Sequence, residues 1–428
     1  MSLQRVTPAA DAMIPGDAAP YDIAIVGGGM AGLALAAALR FTPWRVLILE
    51  AGSPLTDGSG GEGRAMAWGS IDMLKTLGAW PWIEGAGAIR EIWVSDAGWS
   101  WVTHLAAAHI QQPHFGFVVR NRLMQWACQQ LIEGCASIER LYHTRVIGIN
   151  NDTNPVQLTC ERQGSQFPVQ ARLVVAADGA FSQMRELLQI PYHRDPYTQA
   201  CVVSCIHTER PHQGIAHERF RPAGPLAILP SEHPDWVWVV WTVPLAKQEQ
   251  VLSWSDAEYL AAIAPEFGDQ LGSLKAVTPR KSYVPRRLNC RRYGQGRTVL
   301  IGDAAHTTHP LGGQGLNLGF RDVMALANLL QHPERFDGDP GHPSLIQSYQ
   351  RQRQGDVARV LFATHFTNLL FANRLWPLQW GRRLGLMLVE WLAPLKKLVM
   401  VQGMGMAPEH PRLSLRDPSI SSNLIRPR

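Results

Sequence analysis

The chain has 428 residues, of which 46% are hydrophobic and 18% are charged, and its formal net charge is +5. This composition excludes an intrinsically disordered protein and supplies enough apolar material for one large or two ordinary domains. The basic balance does not indicate nucleic acid as a partner, because no Lys/Arg block is combined with aromatic residues as in known nucleic-acid modules. An acidic cofactor or an anionic membrane surface explains the excess of positive charge equally well.

Other sequence-wide features predict a cytoplasmic protein. The first 20 residues contain Asp11 and Asp17 and lack an apolar core, so we expect no signal peptide. No stretch reaches the roughly 20 apolar residues of a membrane span. The six cysteines show neither Cys-x-x-Cys nor zinc-ligand spacing, which predicts reduced, mostly buried thiols and no metal site.

The N-terminal part of the chain carries a βαβ pattern. Residues 21–26 form a short apolar run that predicts a buried parallel strand, and residues 45–50 predict the next strand. Between them a Gly-x-Gly-x-x-Gly turn opens a helix at 31–39, which brings backbone amides to the phosphates of a dinucleotide. A carboxylate at the end of the second strand accepts hydrogen bonds from the adenosine ribose. The residues expected to bind are Gly27, Gly29, Met30, Ala31, Gly32 and Glu50.

The sequence pattern changes in the middle of the chain. Residues 172–177 predict another buried strand, which ends in Asp178-Gly179. From about 190 to 285, strand-like alternation dominates, with the run 236–241 as its best example and with turns at proline and glycine. We expect this region to be a largely antiparallel sheet, inserted between parts of a cofactor domain.

A second glycine-rich segment follows the predicted strand 297–301. Its first polar residue, Asp303, ends the strand, where a carboxylate can hold ribityl or phosphate-bridging hydroxyl groups. The loop then opens a helix, and its amides can stabilise the negative charge of a reduced flavin. The loop residues expected at the ring are Gly312, Gly313, Gln314, Gly315, Leu316 and Asn317. Two glycine segments so far apart predict one long cofactor, FAD, held at its adenine end by the first and at its reactive end by the second.

Residues 344–405 are predicted to be helical. An apolar stripe comes first, made of Leu361, Phe362, His365, Phe366, Leu369 and Leu370. After it, Arg374, Arg382, Arg383, Lys396 and Lys397 alternate with Trp376, Trp380 and Trp391. Basic residues and tryptophans beside an apolar face are typical of an interfacial helix on anionic lipid, which predicts peripheral membrane contact. Packing of these helices on the catalytic core is the alternative, and it explains the first stripe equally well.

Several motifs together resemble a known family. The glycine turn at Gly27, the segment 177–182 with Arg185, and Gly302-Asp303 look like the three fingerprints of FAD-dependent aromatic hydroxylases with the para-hydroxybenzoate hydroxylase fold. The segments 64–67, 218–220 with 224–227, 309–317 and 403–405 narrow the resemblance to the ubiquinone-biosynthesis hydroxylases. The resemblance runs from about residue 20 to 405 and is looser from 190 to 285.

The resemblance implies an activity and further cofactor contacts. In that family NAD(P)H reduces FAD, and O2 then supplies one oxygen atom to an electron-rich ring, here that of a polyprenyl phenol. A complex with other quinone-pathway proteins would also fit the family. The resemblance adds Arg64, Arg122, Gln125, Asp178 and Gly179 to the expected cofactor site. A solvated helix face explains Arg122 and Gln125 nearly as well, and an Asp-Gly turn with a surface arginine would explain Asp178, Gly179 and Arg185.

The predicted fold is α/β, with a Rossmann-like FAD-binding domain, an inserted mainly antiparallel β-sheet substrate domain and a C-terminal helical region. The predicted limits are 20–75, 113–188 and 286–343 for the FAD domain; 76–112 and 189–285 for the substrate domain; 344–405 for the helices; and 1–19 and 406–428 for flexible termini.

Some alternatives stay open at the level of sequence. The same fold could hydroxylate a soluble phenol or polyketide, halogenate a substrate with the help of flavin, or bind a prenyl group without catalysis. His306 or His309 could act as a base, although histidines satisfied by hydrogen bonds at strand ends are the more economical interpretation. No catalytic side chain is assigned, because the flavin itself carries the difficult step.

Overall fold

The computed structural model describes residues 19–373 and 375–415, so the predictions for 1–18 and 416–428 lie outside the described residues. Its first large sheet is parallel at the centre. The central strands are the short apolar runs that the sequence predicted as buried strands. The strands in spatial order are Gly294–Gln295, Thr298–Leu300, Ser165–Ala176, Tyr21–Val26, Val46–Leu49 and Ile138–Leu141. Val156–Arg162 and Thr144–Asn150 extend it as an antiparallel flap. Three distant parts of the chain thus build one sheet.

The second large sheet is antiparallel except for one parallel pair. Its strands in order are Leu274–Val277, Gln199–Thr208, Trp236–Pro244, Leu226–Pro230, Ile215–Phe220, Glu91–Asp96 and Val102–Ala106, with Lys281–Tyr283 also paired to Gln199–Thr208. The predicted antiparallel region is confirmed, and the alternation of residues 236–241 is that of a strand with one buried face.

Two three-stranded sheets and the remaining helices complete the fold. One small sheet contains Gly63–Ala67, Gly116–Arg120 and Gly87–Ile89, and the other contains Tyr192–Pro196, Arg286–Cys290 and His306–Thr307. The helices before the C-terminal region are Met30–Leu39, Trp68–Leu77, Asn121–Leu131, Gln183–Leu187, Gln248–Ser253, Asp256–Phe267 and Gln314–Leu330. Short 3₁₀ turns occur at Trp80–Trp82, Ala107–Ile110, Leu245–Lys247, Gly302–Ala304, Leu311–Gly313 and Pro333–Phe336. The six cysteines are free thiols, and all except Cys135 are buried.

The C-terminal region consists of the helices Pro343–Ala372, Trp376–Trp391 and Ala393–Gly403. None of the described helices combines the length and the hydropathy that crossing a bilayer requires. The first stripe predicted from sequence is not buried as a whole, because Leu361 is buried while Phe362, Phe366 and Leu369 are exposed. A helix that packs on one side only leaves the opposite apolar positions in water.

The basic residues of this region do not point away from the protein as the sequence suggested. Arg382 and Arg383 form ion pairs with the buried Asp96, at 2.9 and 3.1 Å. Lys396 pairs with Glu390 at 2.9 Å. Buried cations need partners, and these acidic partners lie far away in the sequence or on the same helix pair. The expectation that these three cations face anionic lipid is therefore wrong; Arg374 lies outside the described residues, and Lys397 is exposed.

Candidate FAD-binding and substrate site

One cavity of about 640 Å³ joins the two glycine segments. Gly29, Met30 and Ala31 line it at one end, and the loop from Gly312 to Asn317 lines it further along. A neighbouring cavity of about 200 Å³ lies beside Glu50 and shares Gly29 and Gln125 with the first. The two segments that the sequence predicted to hold opposite ends of one cofactor therefore face a continuous space.

The first glycine turn is shaped by close backbone contacts. Gly27 has a φ of 109°, and a Cβ there would collide with the carbonyl of Ala177. A Cβ at Gly32 would collide with the carbonyl oxygen of Gly27, so this glycine allows the helix to pack against the strand. At Gly29, by contrast, a Cβ would meet nothing within 4 Å. The helix Met30–Leu39 begins there without a side-chain cap, so its free amides face a space that a pyrophosphate can fill.

Glu50 lies directly after the strand Val46–Leu49, at the edge of the smaller cavity. Its carboxylate accepts hydrogen bonds from the amides of Gly28 at 2.5 Å and Gly52 at 2.6 Å. These bonds fix the carboxylate next to the glycine turn, where ribose hydroxyl groups would donate to it. Tyr142 and Arg140 line the same cavity.

The second glycine segment forms the other end of the site. Gly312 and Gly313 have φ values of 61° and 63°, which only glycine adopts readily. They place the uncapped N-terminus of the helix Gln314–Leu330 against the cavity, where its dipole stabilises negative charge. Asp303 is open to the cavity although it lies deep within the protein, and burial raises its pKa. Its carboxyl group is thus available to hydroxyl groups of a ligand.

Asn317 has a structural task in this segment. Its side-chain amide donates to the carbonyls of Ala65 at 3.1 Å and Gly313 at 2.8 Å. Its side-chain oxygen accepts from the Ala67 amide at 2.9 Å and the Ser70 hydroxyl at 2.7 Å. The side chain fastens the glycine loop to the strand Gly63–Ala67, and Asn317 is also one of the residues that line the cavity.

Of the three other residues predicted to bind the cofactor, Arg64 and Gln125 line the cavity and Arg122 does not. Arg64 lines the cavity and its guanidinium lies 5.9 Å from the ring centre of Tyr283. Gln125 lines both cavities. Arg122 is not among the lining residues; its guanidinium is half-exposed and lies 4.0 Å from Asp57.

Hydrogen bonds of Asp178 and Arg185 fix the Asp-Gly segment in place. Asp178 accepts a hydrogen bond from the Met184 amide at 2.9 Å, and burial raises its pKa. Gly179 lines the cavity with a φ of 81°. Arg185 is buried rather than a surface residue, because it donates to the carbonyl of Ala304 at 2.9 Å. It thereby ties the Asp-Gly turn to the segment that carries Asp303.

The two histidines near the second glycine segment are buried and lie outside the cavity lining. His306 lies 2.7 Å from Asp322, whose other oxygen accepts from Arg353 at 2.6 Å. His309 accepts from the Leu311 amide at 3.3 Å, and burial lowers its pKa to about 4. The structure thus favours the structural interpretation of both.

The far half of the cavity is apolar and was not assigned from sequence. Its lining comes mainly from the second large sheet and the last helix, with Phe115 and Met404 from the adjoining segments; the apolar residues are Ile92, Leu105, Phe115, Ala216, Ala227, Leu229, Val240, Val399, Met400 and Met404. One acidic residue of this wall, Glu218, also received no role from sequence. A carboxylate within an alternating strand was the available signal, but the strand alone does not show which face meets the cavity.

Comparison with known proteins identifies the family. A family model described as an FAD binding domain matches residues 20–364. The chain is 37% identical to ubiquinone hydroxylase UbiL of Rhodospirillum rubrum over 399 residues, which cover 92% of each protein. It belongs to the FAD-dependent hydroxylases of ubiquinone biosynthesis.

Two further comparisons agree with this family. The 3-demethoxyubiquinol 3-hydroxylase of Escherichia coli is 31% identical, over 90% of this chain and 99% of that protein. The crystal structure of p-nitrophenol 4-monooxygenase PnpA from Pseudomonas putida superposes with a TM-score of 0.74 at 18% identity, covering 90% and 98% of the two chains. The predicted α/β fold with an inserted sheet is confirmed. This hydroxylase is an FAD-dependent monooxygenase that uses NAD(P)H and O2.

Proposed function

We propose that this hydroxylase acts on the ring of a polyprenyl phenol in ubiquinone biosynthesis. The observation that carries the proposal is the cavity itself, which continues from the FAD segments into an apolar chamber between the sheet and the last helix. An aromatic ring with an isoprenoid tail matches such a chamber because burial of its apolar surface stabilises binding. A small polar phenol would leave much of this wall without a partner.

Within this site the chain's own residues bind, orient and exclude water. Glu50, the turn from Gly27 to Gly32 and Asp303 would hold the adenosine, pyrophosphate and ribityl parts of FAD. The helix that begins at Gln314 would face the flavin ring. When bound, FAD supplies the activation of O2 by electrons from NAD(P)H. The apolar chamber keeps water away from the reacting ring.

A second part of the proposal is that the enzyme takes its substrate from a membrane surface. On the helix Trp376–Trp391, Trp376, Trp380, Leu384 and Leu388 follow one another every four residues and are all exposed. Trp376 is 73% exposed and Trp380 is 62% exposed. Such a contiguous apolar stripe with tryptophans is typical of an interfacial helix.

The helix that carries the stripe packs against the last helix, which lines the substrate chamber. Val399 is 41% exposed and lines the cavity, and the buried Met400 next to it lines the cavity too. A lipid-soluble substrate would therefore travel a short distance from the bilayer to the ring site. Since Arg382, Arg383 and Lys396 are engaged within the protein, we expect apolar contact to dominate the binding.

The catalytic proposal is tested with the purified FAD-loaded enzyme, NADPH, ¹⁸O₂ and a short-tailed prenyl phenol. We expect one ¹⁸O atom in the ring of the product. Equal or faster turnover of the same phenol without its tail would favour a soluble substrate instead. Deletion of the gene should cause a prenyl phenol to accumulate, and an unchanged quinone pool would contradict the assignment to this pathway.

The membrane proposal is tested by flotation with liposomes of phosphatidylglycerol and phosphatidylethanolamine. The wild type should float, also in high salt, and the double variant Trp376→Ser/Trp380→Ser should remain at the bottom. Phe41→Ser is the matched control, since Phe41 is exposed but distant in sequence from these helices. If the double variant floats like the wild type, the stripe is not the membrane contact. A stripe that instead binds another quinone-pathway protein would show no flotation and would co-purify with that partner.

A further inference from the structure

A carboxyl group on the sheet wall of the cavity stands out by its surroundings. Glu218 lies in the strand Ile215–Phe220, where it is paired with Ala227 on one neighbouring strand and Val94 on the other. Ala216, two residues earlier on the same face, lines the cavity with it. The carboxyl group is therefore framed by apolar side chains and opens into the space that a substrate would occupy.

Within residues 19–373 and 375–415, the carboxyl group of Glu218 makes no hydrogen bond and no ion pair. Burial alone raises its pKa to about 8. A carboxyl group that is deep in a protein without a partner destabilises the folded state, so folding by itself gives no reason for its presence. A ligand with a hydroxyl group would supply the missing partner.

The ionisable groups on the strands around Glu218 form no hydrogen bond or ion pair with it. On its own strand, Arg219 donates to the carbonyl of Glu266 at 2.9 Å. His217 lines the same cavity and packs edge-on against Trp93, and burial lowers its pKa to about 4. On the neighbouring strand, Asp96 is held by Arg382.

Other ionisable groups line the same cavity. They are Arg64, Asp303, His217 and Tyr283. The buried thiol of Cys201, on another strand of the same sheet, lies close enough to Glu218 for an electrostatic interaction. None of them contributes to the raised pKa of Glu218, which has burial as its cause. The charge on Glu218 in turn contributes to the raised pKa of the Cys201 thiol.

We propose that Glu218 accepts the proton of the substrate's ring hydroxyl group. The inference rests on the proposed function, because it requires a phenol in this cavity. The phenol O–H bond breaks, its electron pair stays on the oxygen, and the proton moves to the carboxylate. When the product leaves, the proton returns to that oxygen, so no electrons are transferred in this step. The phenolate ring is richer in electrons and reacts faster with an electrophilic oxygen.

A general base accepts a proton efficiently when its pKa lies close to that of the group that gives up the proton. A phenol has an ordinary pKa of about 10, whereas an unperturbed glutamate has one near 4.3 and is a weak base. Burial brings the two values closer together, which makes the transfer of the proton efficient at neutral pH.

The kinetic test uses the FAD-loaded enzyme with NADPH, O2 and a short-tailed prenyl phenol between pH 6 and 9.5. For the wild type we expect kcat to rise with pH as Glu218 loses its proton. Glu218→Gln should lower kcat by about 100-fold and abolish this rise, with little change in KM. Glu218→Asp should keep a pH-dependent rise at lower kcat. Glu249→Gln is the control, because it makes the same chemical change at an exposed position.

A binding test without turnover keeps the two proposals separable. Perturbation of the flavin spectrum reports the affinity for the prenyl phenol and for its methyl ether. The wild type should prefer the phenol by about 10-fold, which corresponds to one hydrogen bond to a charged group. Glu218→Met should remove this preference while FAD absorbance shows that the variant is folded.

The outcomes distinguish the inference from the proposed function. If the wild type hydroxylates the phenol while Glu218→Gln keeps its rate and its pH profile, Glu218 is not the proton acceptor. A phenol preference that persists in Glu218→Met overturns the inference as well. A wild-type enzyme that never hydroxylates the phenol overturns the proposed function, and this inference with it.

Discussion

The replacement Arg382→Met tests whether the C-terminal helices are clamped to the catalytic core. Arg382 is 5% exposed, and its guanidinium donates to Asp96 at 2.9 and 3.1 Å. It also donates to the carbonyls of Leu370, Phe371 and Asn373 at 3.1, 3.0 and 2.8 Å. One side chain thus joins the end of the helix Pro343–Ala372, the helix Trp376–Trp391 and the strand Glu91–Asp96.

The magnitude follows from what the variant leaves behind. Asp96 keeps Arg383 as its ion-pair partner, whereas three carbonyls near the helix end lose their donor. Removing one partner of a buried pair typically costs about 3–5 kcal/mol, and each orphaned buried group costs about 1–3 kcal/mol. We expect the free energy of unfolding of the C-terminal unit to fall by about 4 kcal/mol.

The assay is urea unfolding of the FAD-loaded enzyme, followed by tryptophan fluorescence, to which Trp376, Trp380 and Trp391 of this region contribute among the 15 tryptophans of the chain. Lys397→Met is the matched control, since it removes an exposed cation of the next helix and should change stability by less than about 0.5 kcal/mol. If both variants unfold at the same urea concentration as the wild type, the clamp does not stabilise the fold.

Further predictions concern the cofactor site and its acid. Gly29→Ala should fold but bind FAD much more weakly, because its Cβ enters the open pyrophosphate space; Gly32→Ala should fail to fold, because its Cβ collides with the Gly27 carbonyl. Both results are read from yield, circular dichroism and FAD content, and a G29A protein with full FAD would contradict the reasoning. Asn317→Ala removes four hydrogen bonds and should lower stability by about 3 kcal/mol. The folded-state pKa of Glu218 is raised from 4.5 to about 8, so its ionisation destabilises the folded state as pH rises through this window. Glu218→Gln should therefore be more stable than the wild type at pH 9, with a gap that closes toward pH 5; a gap that does not vary with pH would refute this.

Much of the cofactor site could be predicted from sequence because its geometry is local. Gly27, Gly29 and Gly32 act through backbone angles and close contacts within one turn, and Glu50 follows from its place at a strand end. The same holds for Gly312 and Gly313, whose positive φ values precede a helix. The residue roles at this site and the domain limits stay predictions that the experiments above address.

Other features depended on contacts that local sequence does not encode. Arg122 lies at a helix start where cofactor contact was expected, yet its side chain turns toward Asp57. The sequence around Arg185 suggested an exposed turn. In the structure its side chain is buried and donates a hydrogen bond to the Ala304 carbonyl.

By itself, the sequence determined the two glycine segments and the alternation of strands, and hence an FAD enzyme with an inserted sheet. Such features depend on neighbours along the chain, since phosphate-binding turns and strand faces repeat over a few residues. Only the tertiary structure decided which charges are buried and which side chains meet the substrate space. Arg382 finds Asp96 across 286 residues of chain, and Glu218 faces the cavity only because two sheets and the last helix enclose it. Charge pairing and cavity walls arise from packing between distant elements, which no local pattern specifies.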